Sequence, residues 1–198
     1  YYASRGLGDV YKRQGEKTPV FVYTNYPSAE LFINGKSYGK QSKNNSSLKS
    51  RYRLMWMDAV YEPGEVKVVA YNKDGKAVAE KTVRTAGKPH HIELVSNRNE
   101  LTADGKDLAY VTVKVVDKDG NLCPTDSRLI HFSVKGTGKF RAVANGDPTN
   151  LEQFHLPKMH AFHGMLTAIV QAGEIAGDLV LTAKASGVKT GTVHLQAK

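Results

Sequence analysis

The stretch "AELFINGKSYGK" (residues 29–40) has the pattern of two β-strands joined by a tight turn. Leu31 and Ile33 alternate on one face, and the pair Asn34-Gly35 that follows accepts the positive φ angles of a two-residue hairpin turn. A phosphate-binding glycine loop would need a helix after its glycines, and the polar run after residue 35 has no apolar period of 3.6 residues. The stretch therefore predicts a β-hairpin rather than a ligand-holding loop.

The same period of two recurs along most of the chain, while helical patterns are almost absent. The apolar residues predicted to share a strand face are Val66, Val68 and Ala70; Val111, Val113 and Val115; and Ile130, Phe132 and Val134. Asp74-Gly75 predicts a second hairpin turn. Many short strands at spacings of about 8–12 residues, separated by Gly, Asp and Asn, are typical of immunoglobulin-like sandwiches.

A break in this pattern divides the chain in two. Gly87 and Pro89 interrupt regular structure, and the alternation restarts at Ile92 and Leu94. The chain has 198 residues, and domains most often contain about 100–150. The sequence therefore predicts an all-β protein with two immunoglobulin-like β-sandwich domains in tandem, at residues 15–87 and 88–198.

The first 14 residues, "YYASRGLGDVYKRQ", share no period with the strands that follow. They resemble the translated adaptor read-through found at the ends of metagenomic fragments, so we expect a non-native leader at residues 1–14.

Composition narrows the classes of partner. No apolar run approaches the about 18 residues that a membrane-spanning helix needs, so no membrane partner is expected. The net charge is +9, and much of it lies between Lys36 and Arg53, where basic residues occur without an acidic one. The favoured interpretation of this basic run is a solvated loop, and a docking surface for protein or for nucleic acid is the alternative. Nucleic acid is not expected as a partner, because few aromatic residues accompany the charges.

The motifs that suggest ligand chemistry are incomplete. "VKGTGKF" (residues 134–140) lacks the first glycine and the final Ser or Thr of a phosphate loop. "DKDGN" (residues 117–121) starts like a calcium loop, but its twelfth position is Arg128 instead of Glu. Both are predicted to be turns. Cys123 is the single cysteine and is expected to be a passive loop thiol.

Three histidines, a tryptophan and one long connection complete the candidates. His155, His160 and His163 match no common zinc spacing, so no metal or other cofactor is expected. Trp56 is interpreted as a core aromatic rather than a sugar platform, and His131 as a surface residue.

The connection at residues 144–164 is too polar and too broken by proline to be a strand, yet it contains several large apolar residues. A loop of this length is usually functional. Its residues predicted to dock on another domain are Phe154, Met159 and Phe162, and those predicted to contact substrate at the rim of a pocket are His155 and His163.

Longer segments of the sequence resemble those of a known family. "VYTNYPSAELFINGKSYGK" (residues 22–40) and "RLMWMDAVYEPGEVKVVAYNKDGKAVAEKTVRTAG" (residues 53–87) resemble the first C-terminal accessory domain of β-galactosidase-like enzymes of glycoside hydrolase family 2. "IELVSNRNELTADGKDLAYVTVKVVDKDGN" (residues 92–121), "VANGDPTN" (143–150) and "KMHAFHGMLTAIVQ" (158–171) resemble the bacterial, invasin-type immunoglobulin-like domain that follows it. His163 departs from the family pattern, in which Asn is more frequent.

This resemblance implies a retaining glycosidase whose two catalytic glutamates lie in a (β/α)8 barrel upstream, so the chain itself is expected to contain no catalytic residue. Asn99-Glu100 looks like the family's acid/base dipeptide, but it falls in the accessory domain. The resemblance implies a supporting role for the barrel, which is then the main partner, in a bacterial, periplasmic or extracellular enzyme of carbohydrate metabolism. A carbohydrate-binding module or an adhesin-type immunoglobulin-like module is the alternative, with glycan as its partner.

Overall fold

The computed structural model describes residues 15–198, so the predicted leader at residues 1–14 lies outside the described residues. The chain divides into two compact units, with the division between Thr85 and Ala86. We call them the N-terminal unit and the C-terminal unit. Among residues 15–198, no helix is both long and apolar enough to cross a membrane.

Over its described residues, 15–85, the N-terminal unit has six strands and one short helix. These are β1 (Val20–Tyr23), β2 (Ser28–Ile33), β3 (Lys36–Ser42), α1 (Leu48–Arg51), β4 (Arg53–Trp56), β5 (Glu65–Tyr71) and β6 (Ala77–Arg84). One antiparallel sheet has the order β3-β2-β5-β6, and β1 pairs with β4 in a separate two-stranded sheet. Val22, Leu54 and Trp56 from the small sheet share a core with Leu31 and Val68 from the large one. The unit is therefore a β-sandwich.

The hairpin predicted at Asn34-Gly35 is confirmed. Asn34 has φ of 48° and Gly35 has φ of 79°, and the strands pair as Ile33 with Lys36. The side-chain Oδ1 of Asn34 accepts the N–H of Glu65 at 2.8 Å, and its Nδ2 donates to the carbonyl of Pro63 at 3.1 Å. The turn thus anchors the hairpin to the start of β5, and its polar groups are used within the fold.

Trp56 lies in this core, as predicted. Its indole Nε1–H donates to the carbonyl of Gly39 in β3 at 3.0 Å, so one side chain of the small sheet is bonded to the large sheet. Buried Trp residues usually find such a partner. This bond fixes the spacing between the two layers of the N-terminal unit.

The C-terminal unit contains nine strands in two sheets. They are β7 (His91–Ser96), β8 (Glu100–Leu101), β9 (Leu108–Val116), β10 (Leu129–Gly136), β11 (Gly138–Ala144), β12 (Lys158–His160), β13 (Met165–Ala172), β14 (Gly177–Lys184) and β15 (Gly191–Ala197). One sheet has the order β12-β10-β14-β15-β8 and the other has the order β11-β13-β9-β7. A single buried cluster draws on both sheets. The prediction of an all-β chain with two sandwiches is confirmed.

The period of two decides which side chains enter this core. Val111, Val113 and Val115 of β9 are fully buried, and Ile130 and Phe132 of β10 are buried on the opposite sheet. His131 lies between them and is exposed, as predicted. The segment "VKGTGKF", predicted to be a turn, is mostly strand: it contains the end of β10 in one sheet and the start of β11 in the other, with only Thr137 between them. The N–H of Thr137 donates to the carbonyl of Asp178 at 3.0 Å, which holds this crossing.

The turn at "DKDGN" holds a buried carboxylate. Asp117 accepts the N–H groups of Gly87 at 2.8 Å, Asp119 at 2.9 Å and Asn121 at 2.8 Å, as well as the side-chain amide of Asn121. Burial raises the pKa of Asp117, but these hydrogen bonds outweigh it and lower the pKa to about 2. Asp117 therefore fixes the first residues of the C-terminal unit onto the body of the sandwich.

Acid should destabilise the C-terminal unit through Asp117. Its folded pKa of about 2 lies below its ordinary value of 3.8, so its contribution is complete above pH 4 and is lost as the pH falls through the folded pKa. The shift corresponds to about 2 kcal/mol. We expect Asp117→Asn to destabilise the unit at pH 7 and to flatten its stability between pH 5 and pH 2, measured by urea denaturation. Asp119→Asn, an exposed change in the same turn, is the matched control; equal pH profiles for Asp117→Asn and wild type would contradict the prediction.

Candidate functional site

The long connection between β11 and β13 is tied down by its own polar side chains. Asn145 accepts the N–H of Asp147 at 3.0 Å and donates from Nδ2 to the carbonyl of His160 at 2.9 Å. Glu152 accepts the N–H of His160 at 3.1 Å, and its other oxygen lies 3.0 Å from Nδ1 of that histidine. Burial raises the pKa of Glu152, but these contacts with His160 lower it overall. Both ends of the connection are therefore held together.

Two predictions about this connection are wrong. Residues 158–160 form the strand β12, which pairs with β10 so that Met159 lies opposite Ile130. Met159 is 0% exposed and belongs to the core of its own unit, so it does not serve as a docking residue. The reason is the pairing: the register with β10 turns the residue inward, and a sequence window of three residues does not reveal it.

Phe154 and its neighbours, in contrast, lie on the surface. Phe154 is 56% exposed and Leu151 is 96% exposed, and with His155 they border a shallow depression that Arg141 and Ile169 also line. Ile169 of β13 pairs with Tyr110 of β9, which is 46% exposed. We call Leu151, Phe154, Arg141, Ile169 and Tyr110 the docking patch.

Sequence reasoning found Phe154 and the neighbouring His155 but missed the other four residues of the docking patch. Tyr110 and Ile169 occupy the outward positions of alternating strands, where polar residues are expected on a solvated face. Large apolar residues at those positions were the available signal. Arg141 lies at a register shift between Phe140 and Ala142, and such a bulge re-aims side chains in a way that alternation does not predict.

The two remaining predicted residues, Phe162 and His163, sit at the turn into β13. Phe162 is half-buried and bridges to Met165, and its ring centroid lies 4.2 Å from that of His163. His163 is exposed, has φ of 52°, and its Nδ1 lies 3.2 Å from the carbonyl of Pro124. Asn tolerates this left-handed conformation better than His, which is a physical reason to expect Asn at this position. His163 does not line the depression that His155 borders.

The groups that could act as nucleophile or acid have unfavourable environments for it. Cys123 is buried, and burial raises its pKa to about 11, so a thiolate is scarce at neutral pH. The carboxyl groups of residues 15–198 whose pKa clearly departs from its ordinary value all shift downward, because the hydrogen bonds that they accept and nearby positive charges together outweigh burial. They are Asp104, Asp107, Asp117, Asp147 and Glu152. A glycosidase acid needs a raised pKa.

Glu100 and the histidines add no constellation of this kind. Glu100 lies at the start of the two-residue strand β8, exposed, and accepts from Nζ of Lys198 at 2.5 Å. Within the part of the chain that the structure describes, no three His, Cys, Asp or Glu side chains are grouped so that they could hold a metal ion.

A carbohydrate-binding module would display exposed aromatic side chains in a row, but Tyr38, Tyr52 and Tyr61 do not form one. Tyr61 is buried, with its hydroxyl 3.2 Å from Oγ1 of Thr85, and Tyr38 packs partly against the core. Tyr52 is exposed. The basic run is spread over the edge strand β3, the helix α1 and β4, with Lys36 and Lys40 exposed on β3. This distribution agrees with a solvated basic surface.

Comparison with known proteins identifies the family of this chain. Residues 92–194, more than half of the chain, match the family model described as glycoside hydrolase family 2 C-terminal domain 5. The chain belongs to glycoside hydrolase family 2. Residues 15–79 match the model of a domain of unknown function (DUF4982). The resemblance stated from the sequence is confirmed.

Three similar proteins define how much of an enzyme this segment represents. A β-galactosidase of Bacteroides ovatus is 40% identical over 93% of this chain, which spans 21% of that protein. A β-glucuronidase of Formosa agariphila is 27% identical over 92% of this chain and 18% of its own length. A solved glycoside hydrolase family 2 member from Bacteroides cellulosilyticus superposes with a TM-score of 0.85 at 32% identity, covering 96% of this chain and 24% of that one. The chain thus spans about a fifth to a quarter of these relatives.

Proposed function

We propose that this chain is a non-catalytic C-terminal part of a glycoside hydrolase family 2 enzyme, and that it supports and orients a catalytic (β/α)8 barrel in the same polypeptide. The observation that carries the proposal is the docking patch, which lies in the unit matched by the family's C-terminal model. Soluble domains rarely expose a contiguous group of large apolar side chains unless another surface covers it. The patch therefore fits a permanent neighbour.

The composition of the docking patch fits an interface. Tyr, Phe and Arg are enriched at the centres of protein interfaces, because they combine apolar area with a hydrogen-bonding group. Tyr110 and Phe154 provide rings, and Arg141 provides the charge. Burial of such area contributes about 25 cal/mol per Å², so covering these side chains stabilises the assembled enzyme.

Among residues 15–198, no carboxyl group has a clearly raised pKa, and this supports the non-catalytic half of the proposal. Retaining glycosidases need two carboxyl groups about 5–5.5 Å apart, one of which has a raised pKa. Among the residues described, Glu100 is paired with Lys198 at an exposed strand, and the carboxyl groups with a shifted pKa all have lowered values. We infer that the hydrolytic chemistry lies in the barrel.

The sugar specificity also belongs elsewhere in the enzyme. The relatives that share this segment include a β-galactosidase and a β-glucuronidase, so a similar accessory segment accompanies enzymes named for different sugars. Recognition of one sugar rather than the other therefore depends on residues outside this segment. A contact of His155 with substrate at the pocket rim stays a secondary proposal.

The support of the barrel can be tested in trans. The Bacteroides ovatus β-galactosidase is truncated before its matched segment, and this chain is added. We expect wild-type chain to raise the thermal midpoint of the truncated enzyme and its turnover of a chromogenic galactoside, because ligands of the folded state stabilise it. The double change Leu151→Ser and Phe154→Ser should remove both gains. The chain alone should release no chromophore.

A matched control separates docking from general surface polarity. Ile175→Ser changes another exposed apolar residue of the C-terminal unit, in the turn between β13 and β14, and should leave both gains intact. If Ile175→Ser and the double variant have the same effect on the thermal midpoint and the turnover, the docking proposal is wrong. Galactoside turnover by the chain alone, lost on Glu100→Gln, would overturn the non-catalytic assignment.

A further inference from the structure

The two strands of the small sheet in the N-terminal unit have an unusual sequence. β1 reads VFVY and β4 reads RLMW, so apolar residues occupy seven of eight positions. A strand with one solvated face alternates apolar and polar residues, whereas a strand covered on both faces reads as a continuous apolar run. The pattern of β1 and β4 therefore calls for cover on both faces.

The fold of this chain covers one of the two faces. Val22, Leu54 and Trp56 point into the core of the sandwich. The residues between them face the other way and form two cross-strand pairs, Phe21 with Met55 and Tyr23 with Arg53. We call these four residues, together with Met57 in the following turn, the outer face of the β1–β4 sheet.

This outer face is apolar and open. Tyr23 is 43% exposed and Met57 is 53% exposed, and Phe21 and Met55 are partly exposed. None of the four belongs to the core cluster of the N-terminal unit. Met and aromatic residues on an open sheet face are the composition of an interface and not of a solvated surface.

One charged residue organises the face. The guanidinium of Arg53 lies 5.2 Å from the centroid of the Phe21 ring, and its Nε–H donates to the carbonyl of Lys49 at 3.1 Å. These contacts place the guanidinium beside the face, and the planar fork of N–H donors in a guanidinium is suited to a carboxylate. Arg51 and Lys49, both exposed in α1, add positive charge at the same end. A partner that fits therefore has an apolar centre and an acidic rim.

The length of the relatives indicates where this partner comes from. This chain spans 21% of the Bacteroides ovatus β-galactosidase, so about four fifths of such an enzyme lies outside the segment and is covalently available. A neighbour in the same polypeptide has a high effective concentration, which makes a modest apolar face sufficient for stable contact.

We propose that the outer face of the β1–β4 sheet is a second docking surface, which receives an apolar, acid-rimmed surface of another domain of the same glycoside hydrolase polypeptide. This proposal rests on the proposed function but uses a different unit and different residues from the docking patch. It assigns a role to the N-terminal unit, whose matched family model carries no function.

Methionine oxidation tests the proposal directly. Residues 15–198 replace the matched segment of the Bacteroides ovatus β-galactosidase, and the chimera and the isolated chain are treated with hydrogen peroxide and analysed by mass spectrometry. Oxidation follows exposure, so Met57 should react about tenfold more slowly in the chimera than in the isolated chain. Met159, which is fully buried, should react slowly in both and is the internal control. Equal rates for Met57 would overturn the proposal.

Three further outcomes are decisive. If protection of Met57 in the isolated chain increases with its own concentration, the occupant is a second copy and the proposal is wrong. Tyr23→Glu with Met57→Lys should lower the thermal midpoint of the chimera but not of the isolated chain, while Val78→Lys, an exposed change on β6, should alter neither. If the double change Leu151→Ser and Phe154→Ser has no effect on the truncated enzyme while Met57 stays protected in the chimera, the docking patch is refuted and the second docking surface is not.

Discussion

Replacing Met159 by alanine is expected to destabilise the C-terminal unit by about 2–5 kcal/mol. Met159 is fully buried, lies opposite Ile130 and belongs to the cluster that joins the two sheets. Truncation removes apolar contacts and leaves a cavity, since backbone pairing of β12 with β10 holds the walls in place. Phe154→Ala, five residues earlier, should change the stability of the isolated chain by less than about 0.5 kcal/mol, because Phe154 contributes little to the core.

The single tryptophan makes this measurement specific. Trp56 is the one tryptophan of the chain and lies in the N-terminal unit, so its fluorescence follows that unit alone. Urea denaturation of Met159→Ala should leave the fluorescence transition in place, while circular dichroism and amide exchange in β10 and β14 report earlier unfolding. A similar loss for Phe154→Ala would mean that the 144–164 connection packs as one piece, against the assignment made here.

Local patterns predicted most of the fold, because the side-chain period of two is set by the strand itself. The buried valines of β9 and the Asn34-Gly35 turn could be predicted, because each is determined by residues adjacent in the sequence. The strand β12 could not be predicted from the local sequence. It contains three residues, follows Pro157, and exists because β10 offers an edge: the N–H of Phe132 donates to the carbonyl of Pro157 at 2.8 Å. Pro157 marks the end of this pairing, because its carbonyl accepts from β10 while its nitrogen has no N–H to donate in return.

The candidate surfaces show the same division between local and long-range information. Phe154 stood out because it is a large apolar residue in a polar loop. Tyr110 joins it only through the pairing of β9 with β13, and Arg141 only through a register shift. The outer face of the β1–β4 sheet was visible as unbroken apolar runs, but assigning Phe21 outward and Val22 inward required the core to be located. Sequence thus reveals which residues are unusual, and the register determines which of them meet.

Gly164→Ala is expected to destabilise the C-terminal unit by about 2–5 kcal/mol, from a left-handed backbone cost of about 1–2 kcal/mol together with steric overlap of about 1–3 kcal/mol. Gly164 has φ of 74°, and a Cβ there would lie 2.3 Å from the carbonyl oxygen of Cys123. That atom belongs to the backbone and moves only with the segment. The N–H of Gly164 donates to the carbonyl of Asp126 at 2.8 Å, and its carbonyl accepts the N–H of Val115 at 2.8 Å, so the turn is held from both sides.

Two matched variants separate the contributions. Gly146→Ala has nearly the same φ, 78°, with no atom within 4 Å of the new Cβ, so it should lose only the backbone part, about 1–2 kcal/mol. His163→Asn, the residue before Gly164, should maintain or raise stability, because Asn adopts the left-handed conformation more easily and His163 already has φ of 52°. Thermal unfolding of all three variants in the isolated chain provides the comparison. If Gly164→Ala costs no more than Gly146→Ala, the contact with Cys123 does not constrain the turn and the long connection enters β13 more freely than this fold implies.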